Sequence, residues 1–121
     1  MEVVSKFSDI TPDNISEWKQ NKKKVSQVSI PVSEDDVSGN GPTAEFVVCQ
    51  PDRNVLDVCA RASQEKNFRK ANSVMLNSCV LGGDMKYIKP DGPDYLLDVE
   101  LALLDEIGKL IESKKAIVKK L

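Results

Sequence analysis

The sequence predicts an α+β fold: an N-terminal helix, one β-hairpin, and then a helical bundle of about three helices with a long C-terminal helix. Three observations carry this expectation. Between residues 25 and 50 apolar and polar residues alternate, which is the period of a strand. From Pro51-Asp52 the apolar spacing changes to i, i+3, i+4, i+7, the period of a helix. Residues 95–104 are apolar nearly all round, which marks a helix that needs cover on more than one side. At 121 residues the chain has the length of one ordinary domain, able to bury a core without disulfides or metals.

The elements follow in order. Thr11 and Pro12 offer an N-cap and a proline at the first helical position. Ile15 and Trp18 then lie three apart, and the polar run from Lys19 to Lys24 ends the segment with cations where a helix C-terminus favours them. Trp18 reads as the packing anchor of this short helix. Residues 1–24 are therefore expected to form an arm and a short helix ahead of a single domain over 25–121.

In the hairpin, Val28, Ile30 and Val32 share one face, and Ala44, Phe46 and Val48 alternate in the same way. Pro31 has no N–H to give a ladder, so its strand belongs at an edge. Residues 33–42 between the strands carry Glu34, Asp35, Asp36, Gly39, Asn40 and Gly41. They lack the spacing of a calcium loop, and the Gly-Asn-Gly does not open a helix, so a solvated loop is the expectation.

A helix over 53–64 is capped by Asp52 and carries Val55, Val58, Cys59 and Ala62 on one face. A second, over 67–81, starts at Asn67 and is expected to bury Phe68, Ala71, Met75, Leu76 and Cys79. Ser63 and Asn67 also fit the solvent face of one bent helix. Gly82-Gly83 reads as a left-handed stop to the second helix, and Tyr87 and Ile88 are expected to tuck against the body. The last helix, over 93–121, begins at Pro93. Beyond Glu106 its apolar stripe narrows to Ile107, Leu110, Ile111, Ile117, Val118 and Leu121, with Lys114, Lys115, Lys119 and Lys120 between them. That end is expected to run past the domain body.

The chain contains no histidine. Histidine-based nucleophile activation, metal centres and acid/base chemistry are thereby excluded. Cys49, Cys59 and Cys79 are odd in number and irregular in spacing, as buried thiols in a reducing compartment would be. Asp52, Asp57, Asp94 and Asp98 are the candidates for an acidic pair, but Asp94 and Asp98 near a helix start are explained by the helix dipole. No catalytic, metal or cofactor site is expected. A net charge of −2 and only six aromatic residues argue against a nucleic-acid partner. With no apolar run of signal-peptide or membrane-spanning length, a cytoplasmic protein is expected. What remains is a surface for a protein partner or a second copy of the chain, with Leu110, Ile111, Ile117, Val118 and Leu121 as candidate contacts. Membrane binding by this end is discounted, because Trp and Phe are absent there and Glu106 and Glu112 dilute its charge.

The stretches EFVVCQPDRNVLDVCARAS, NFRKANSVMLNSCVLGGD and DYLLDVELALLDEIGKLIESKKAIVKKL together resemble small phage and prophage tail assembly chaperones. The resembling features are the strand leading through Pro51-Asp52 into a helix, the Asn77-Ser78-Cys79-Val80-Leu81-Gly82-Gly83-Asp84 segment after the second helix, and the Lys119-Lys120-Leu121 tail. The resemblance covers residues 25–121. It implies a non-catalytic cytoplasmic protein that keeps the long tape-measure protein, or another tail protein, soluble during tail assembly. A head–tail connector or tail-terminator subunit, or a small protein-interaction adaptor, is the alternative.

Overall fold

A computed structural model describes residues 4–32, 41–111 and 116–121. Four α-helices and three strands follow one another as α1 (Pro12–Asn21), β1 (Ser26–Pro31), β2 (Thr43–Val48), α2 (Arg53–Gln64), α3 (Phe68–Cys79), β3 (Val80–Gly83) and α4 (Leu97–Lys109). Short 3-10 turns lie at Phe7–Asp9 and Met85–Ile88. The expected acidic loop falls mostly on residues 33–40, outside the described residues.

Helix starts follow the local chemistry. The Thr11 side chain accepts the Asn14 N–H at 3.2 Å while the Asn14 side chain accepts the Thr11 N–H at 2.9 Å, a closed capping box. Asp52 accepts from Val55 N at 2.9 Å, and Asn67 accepts from Lys70 N at 3.2 Å. Between α2 and α3 the chain breaks fully rather than bending. Lys66 sits at φ 60°, its N–H donating to Ser63 O at 2.9 Å and that of Asn67 to Ala62 O at 2.8 Å. Those two bonds satisfy the last carbonyls of α2 and turn the chain into α3.

The sheet has the order β1-β2-β3, antiparallel throughout. Ser29 faces Glu45 and Ile30 faces Ala44 in the first pair, and Pro31 lies on the edge strand, where its missing donor costs nothing. The third strand corrects the sequence reading. Residues 80–83 are not the end of a helix, and Gly82-Gly83 is not its left-handed stop. The helix ends at Cys79, Val80 N caps it onto Leu76 O, and the chain extends at once along β2. Gly83 takes φ 142°, and a Cβ there would lie 2.4 Å from Glu45 O and 2.7 Å from Phe46 Cα. The glycine is needed for the strand's close approach to β2 rather than for a helix stop.

The core is one cluster under the sheet and helices. It contains Trp18, Phe46, Val48, Val80, Val99, Leu103 and Ile107, all essentially inaccessible. Phe68, expected inside, stays 61% exposed, because α3 turns its first residue away from α4 and the sheet. Ile88 is buried and Tyr87 half-buried, as expected.

The N-terminal segment is tied to the same core. Val4 bridges Gly82, the Met85 N–H donates to Ser5 O at 3.1 Å, and the Asp84 carboxylate accepts from Phe7 N at 3.1 Å and from Glu45 N at 3.0 Å.

The C-terminal helix is also corrected. It spans thirteen residues, not 93–121. Residues 90–94 form turns, with Gly92 N on Lys89 O at 2.9 Å and Leu96 N on Tyr87 O at 2.9 Å, so the helix starts only at Leu97. At the other end Lys24 Nζ donates to Leu110 O at 2.8 Å, closing the last turn with a cation. Gly108 in that turn weakens any extension by about 1 kcal/mol. Residues 116–121 are outside the helix.

Glu45 on β2 gathers its neighbours' donors: Gln27 at 3.2 Å, Thr43 at 2.8 Å and the Ser29 hydroxyl. Burial acts to raise its pKa, but hydrogen bonds from Ser29, Thr43 and Gln27 outweigh that and hold the carboxyl below the ordinary glutamate range. A folded-state value below the unfolded one contributes stability above the ordinary pKa, and that contribution is lost as pH falls through the lowered value. Glu45→Gln is therefore expected to flatten the acid limb of a stability-versus-pH curve measured by urea unfolding, leaving its neutral-to-basic shape unchanged. Gly83→Ala is expected to destabilise the chain by about 3 kcal/mol or more in the same measurement, since backbone atoms of β2 must move to admit the methyl group.

Candidate partner-binding surface

α4 carries two apolar stripes. Val99, Leu103 and Ile107 form the inner one and are wholly buried against the sheet and the Met85–Ile88 turn. The outer one is Leu97, Leu101, Leu104 and Gly108, and Ile111 in the turn just beyond the helix continues its alternate spacing of four and three residues. That is the spacing of a seam made for another helix. Leu97 and Leu101 keep 57% and 51% of their surface in water, Ile111 keeps 38%, and Leu104 is half-buried. Nothing lies within 4 Å of a Cβ built on Gly108, so the seam is open there as well.

The seam is bordered by carboxylates. Asp98 and Asp105 flank one side and Glu100 the other, where Glu100 accepts the Tyr95 hydroxyl and so raises the Tyr95 pKa. Lys109, on the same helix, is engaged by Asp105 at 3.4 Å and Glu106 at 2.9 Å. An apolar centre with an acidic border is what this face offers.

The residues expected from sequence fall in three places. Leu110 follows the end of α4, half-buried against the core. Ile111 belongs to the outer seam. Ile117, Val118 and Leu121 lie beyond the helix, almost wholly exposed. The structure does not bring these five side chains onto one helix face. Leu97 and Leu101 are the additions, and their signal was present in the four-three spacing. It is masked in the sequence because residues 95–104 are apolar nearly all round, with only Asp98 and Glu100 charged, so which stripe faces inward is decided by packing.

Away from the seam, a concavity of about 700 Å³ lies where the end of α1, the start of α2 and the α3–β3 junction meet, lined by Lys22, Lys23, Pro51, Arg53, Val55 and Leu56 among others. Cys49 and Cys79 adjoin it. Both are buried, and their backbones are joined by Cys49 N on Cys79 O at 2.9 Å. A hydrogen bond from Cys79 brings the Cys49 thiol down to about 7, burial opposing it and the Lys22 charge assisting, while the same bond and burial push Cys79 up. The Cys79 sulfur also contacts Met75 Sδ at 3.8 Å. Cys59, on α2, lies 3.4 Å from Ala71 O, and burial raises its thiol.

The acidic candidates have local duties. Asp52 caps α2, and Asp57 pairs with Arg53 at 3.3 Å across one helical turn. Among the described residues no group of three or more His, Cys, Asp or Glu is placed to hold a metal ion, and no helix is long and apolar enough to cross a membrane. Compared with protein families, with curated proteins and with solved structures, the chain matches none.

Burial ranks the thiols. Under native conditions iodoacetamide is expected to label Cys59 well before Cys49 or Cys79, as read by peptide mass spectrometry over time. The reverse order would mean that the lowered thiol of Cys49, at the wall of the concavity, is reached despite its burial.

Proposed function

We propose that this chain is a non-catalytic protein-binding protein of phage tail morphogenesis, a tail assembly chaperone that holds a helical stretch of the tape-measure protein in the cytoplasm of the infected cell. The observation that carries the binding part is the open seam Leu97-Leu101-Leu104-Gly108-Ile111 along α4 and the turn just beyond it. Apolar side chains at this spacing recognise a helix by packing its own apolar stripe between them, and the missing side chain at Gly108 admits a bulky one. The resemblance in residues 25–121 supplies the class of partner. A tape-measure protein is a long helical chain with apolar stripes, and such stripes aggregate unless covered.

The acidic border sets a preference. A partner helix with Lys or Arg beside its apolar stripe gains attraction, and that attraction weakens as salt rises. In this reading the inner stripe fixes α4 on the sheet, the outer stripe takes the partner, and the carboxylates choose its charge.

Co-expression with helical fragments of the tape-measure protein from the same genome, followed by co-purification and calorimetry, tests this reading. Binding is expected with the unaltered chain, and Leu101→Glu is expected to weaken it at least about tenfold without lowering thermal stability, since Leu101 supports no core contact. Absence of binding to every fragment, or full binding by the Leu101→Glu chain, would sink it.

A further inference from the structure

We infer that, before a partner arrives, the outer seam of α4 is covered by residues 116–121 of a second copy of this chain, two copies exchanging these segments. The inference rests on the seam being a binding surface and concerns what occupies it at rest.

The two surfaces match in shape and charge. The segment presents Ile117, Val118 and Leu121, all three almost wholly in water, with Lys119 and Lys120 between them. Three large apolar side chains exposed within six residues mark a segment that gains by being covered. The segment is not helical in the single chain; wound into one helical turn on docking, its i, i+1, i+4 spacing would put the three side chains on one side, the form a seam of alternating four-three spacing accepts. The seam is bordered by Asp98, Glu100 and Asp105, and its neighbour Lys109 is already engaged by Asp105 and Glu106. Asp105 is thus already paired with Lys109 and Glu100 accepts the Tyr95 hydroxyl, so the two ammonium groups on the segment meet Asp98 and Glu100, neither of which is salt-bridged among the described residues.

Charge also decides against the other self-contact. Two α4 seams laid together would set Asp98, Glu100 and Asp105 of one copy against the same residues of the other, and like charges at that distance repel. A basic segment on an acidic seam avoids this.

Within one chain the segment and the seam both stand exposed, and a second copy supplies the complement of each. Reciprocal exchange uses both surfaces twice and closes on a two-fold axis, leaving no open end to propagate. A contact made by three side chains is weak, so a longer helix that fills the whole seam displaces it.

Sedimentation velocity on the purified chain alone, from about 1 µM to about 500 µM, reads the association directly. The expected result is a monomer–dimer equilibrium in this range, weakened at least about tenfold by raising salt from 50 mM to 500 mM. Removing residues 116–121, and separately Lys119→Glu with Lys120→Glu, is expected to shift association to the monomer by a similar factor. Neither variant touches a core residue, so circular dichroism melts should superimpose on the unaltered chain. A monomer at every concentration, or a dimer that survives removal of 116–121, would overturn the inference. No tape-measure fragment is present in these runs, so failure here leaves partner binding standing, and failure of partner binding leaves the dimer standing.

Discussion

The structure depends on how Gly82, Gly83 and Asp84 cross the edge of the sheet. Gly83 comes so close to Glu45 and Phe46 that no side chain fits, which brings the Asp84 carboxylate within reach of two backbone donors. One, from Glu45, belongs to β2; the other, from Phe7, belongs to the N-terminal segment. Asp84 N returns a bond to Glu45 O at 2.9 Å. Gly82, immediately before, leaves room for Trp18, whose ring lies 3.1 Å from where a Cβ would sit. Three consecutive residues thus join the sheet, the first turn and α1, and Trp18 is buried as a result. A charge-assisted hydrogen bond to backbone N–H groups is among the stronger polar contacts a protein makes. Here two of them share one carboxylate.

Much of this fold is legible in the sequence because its signals are local. The change of period at Pro51-Asp52 separates β2 from α2, and Thr11, Asp52 and Asn67 announce three helix starts that the hydrogen bonds bear out. β3 is not legible. It is four residues long, half of them glycine, and follows a helix without any polar turn, so its pattern is that of a helix stop. Only the partner strand makes it a strand. The end of α4 is hidden for a related reason. The apolar spacing beyond residue 109 continues to suit a helix, while what closes α4 is Lys24, 86 residues away. Of the proposed surface, the sequence indicates the last helix and the basic stretch after it. It does not indicate Leu97 and Leu101, since either side of a helix apolar nearly all round can face the core.

The two surfaces of α4 illustrate a division of labour that an amphipathic helix does not allow. An ordinary surface helix spends its single apolar stripe on the core. α4 has a second one, and its cost in solubility is offset by the carboxylates beside it. The same carboxylates that keep the seam in water bias what can cover it. The thiols show the opposite arrangement: Cys49 and Cys79 face each other under cover, where the lowered thiol of one is stabilised by the other rather than offered to solvent.

The bond from Lys24 to Leu110, together with the Val4–Gly82 bridge, also fixes an order of events during synthesis. The β1–β2 hairpin and the α2–α3 pair are made of neighbours in sequence, and such contacts form early. Residues 4–18 cannot find their place until residues 82–84 have emerged, and the loop before β1 cannot be secured until residue 110 has followed. Trp18 therefore stays unburied until residues 82–84 have been made, and the bond from Lys24 closes only after α4 is complete.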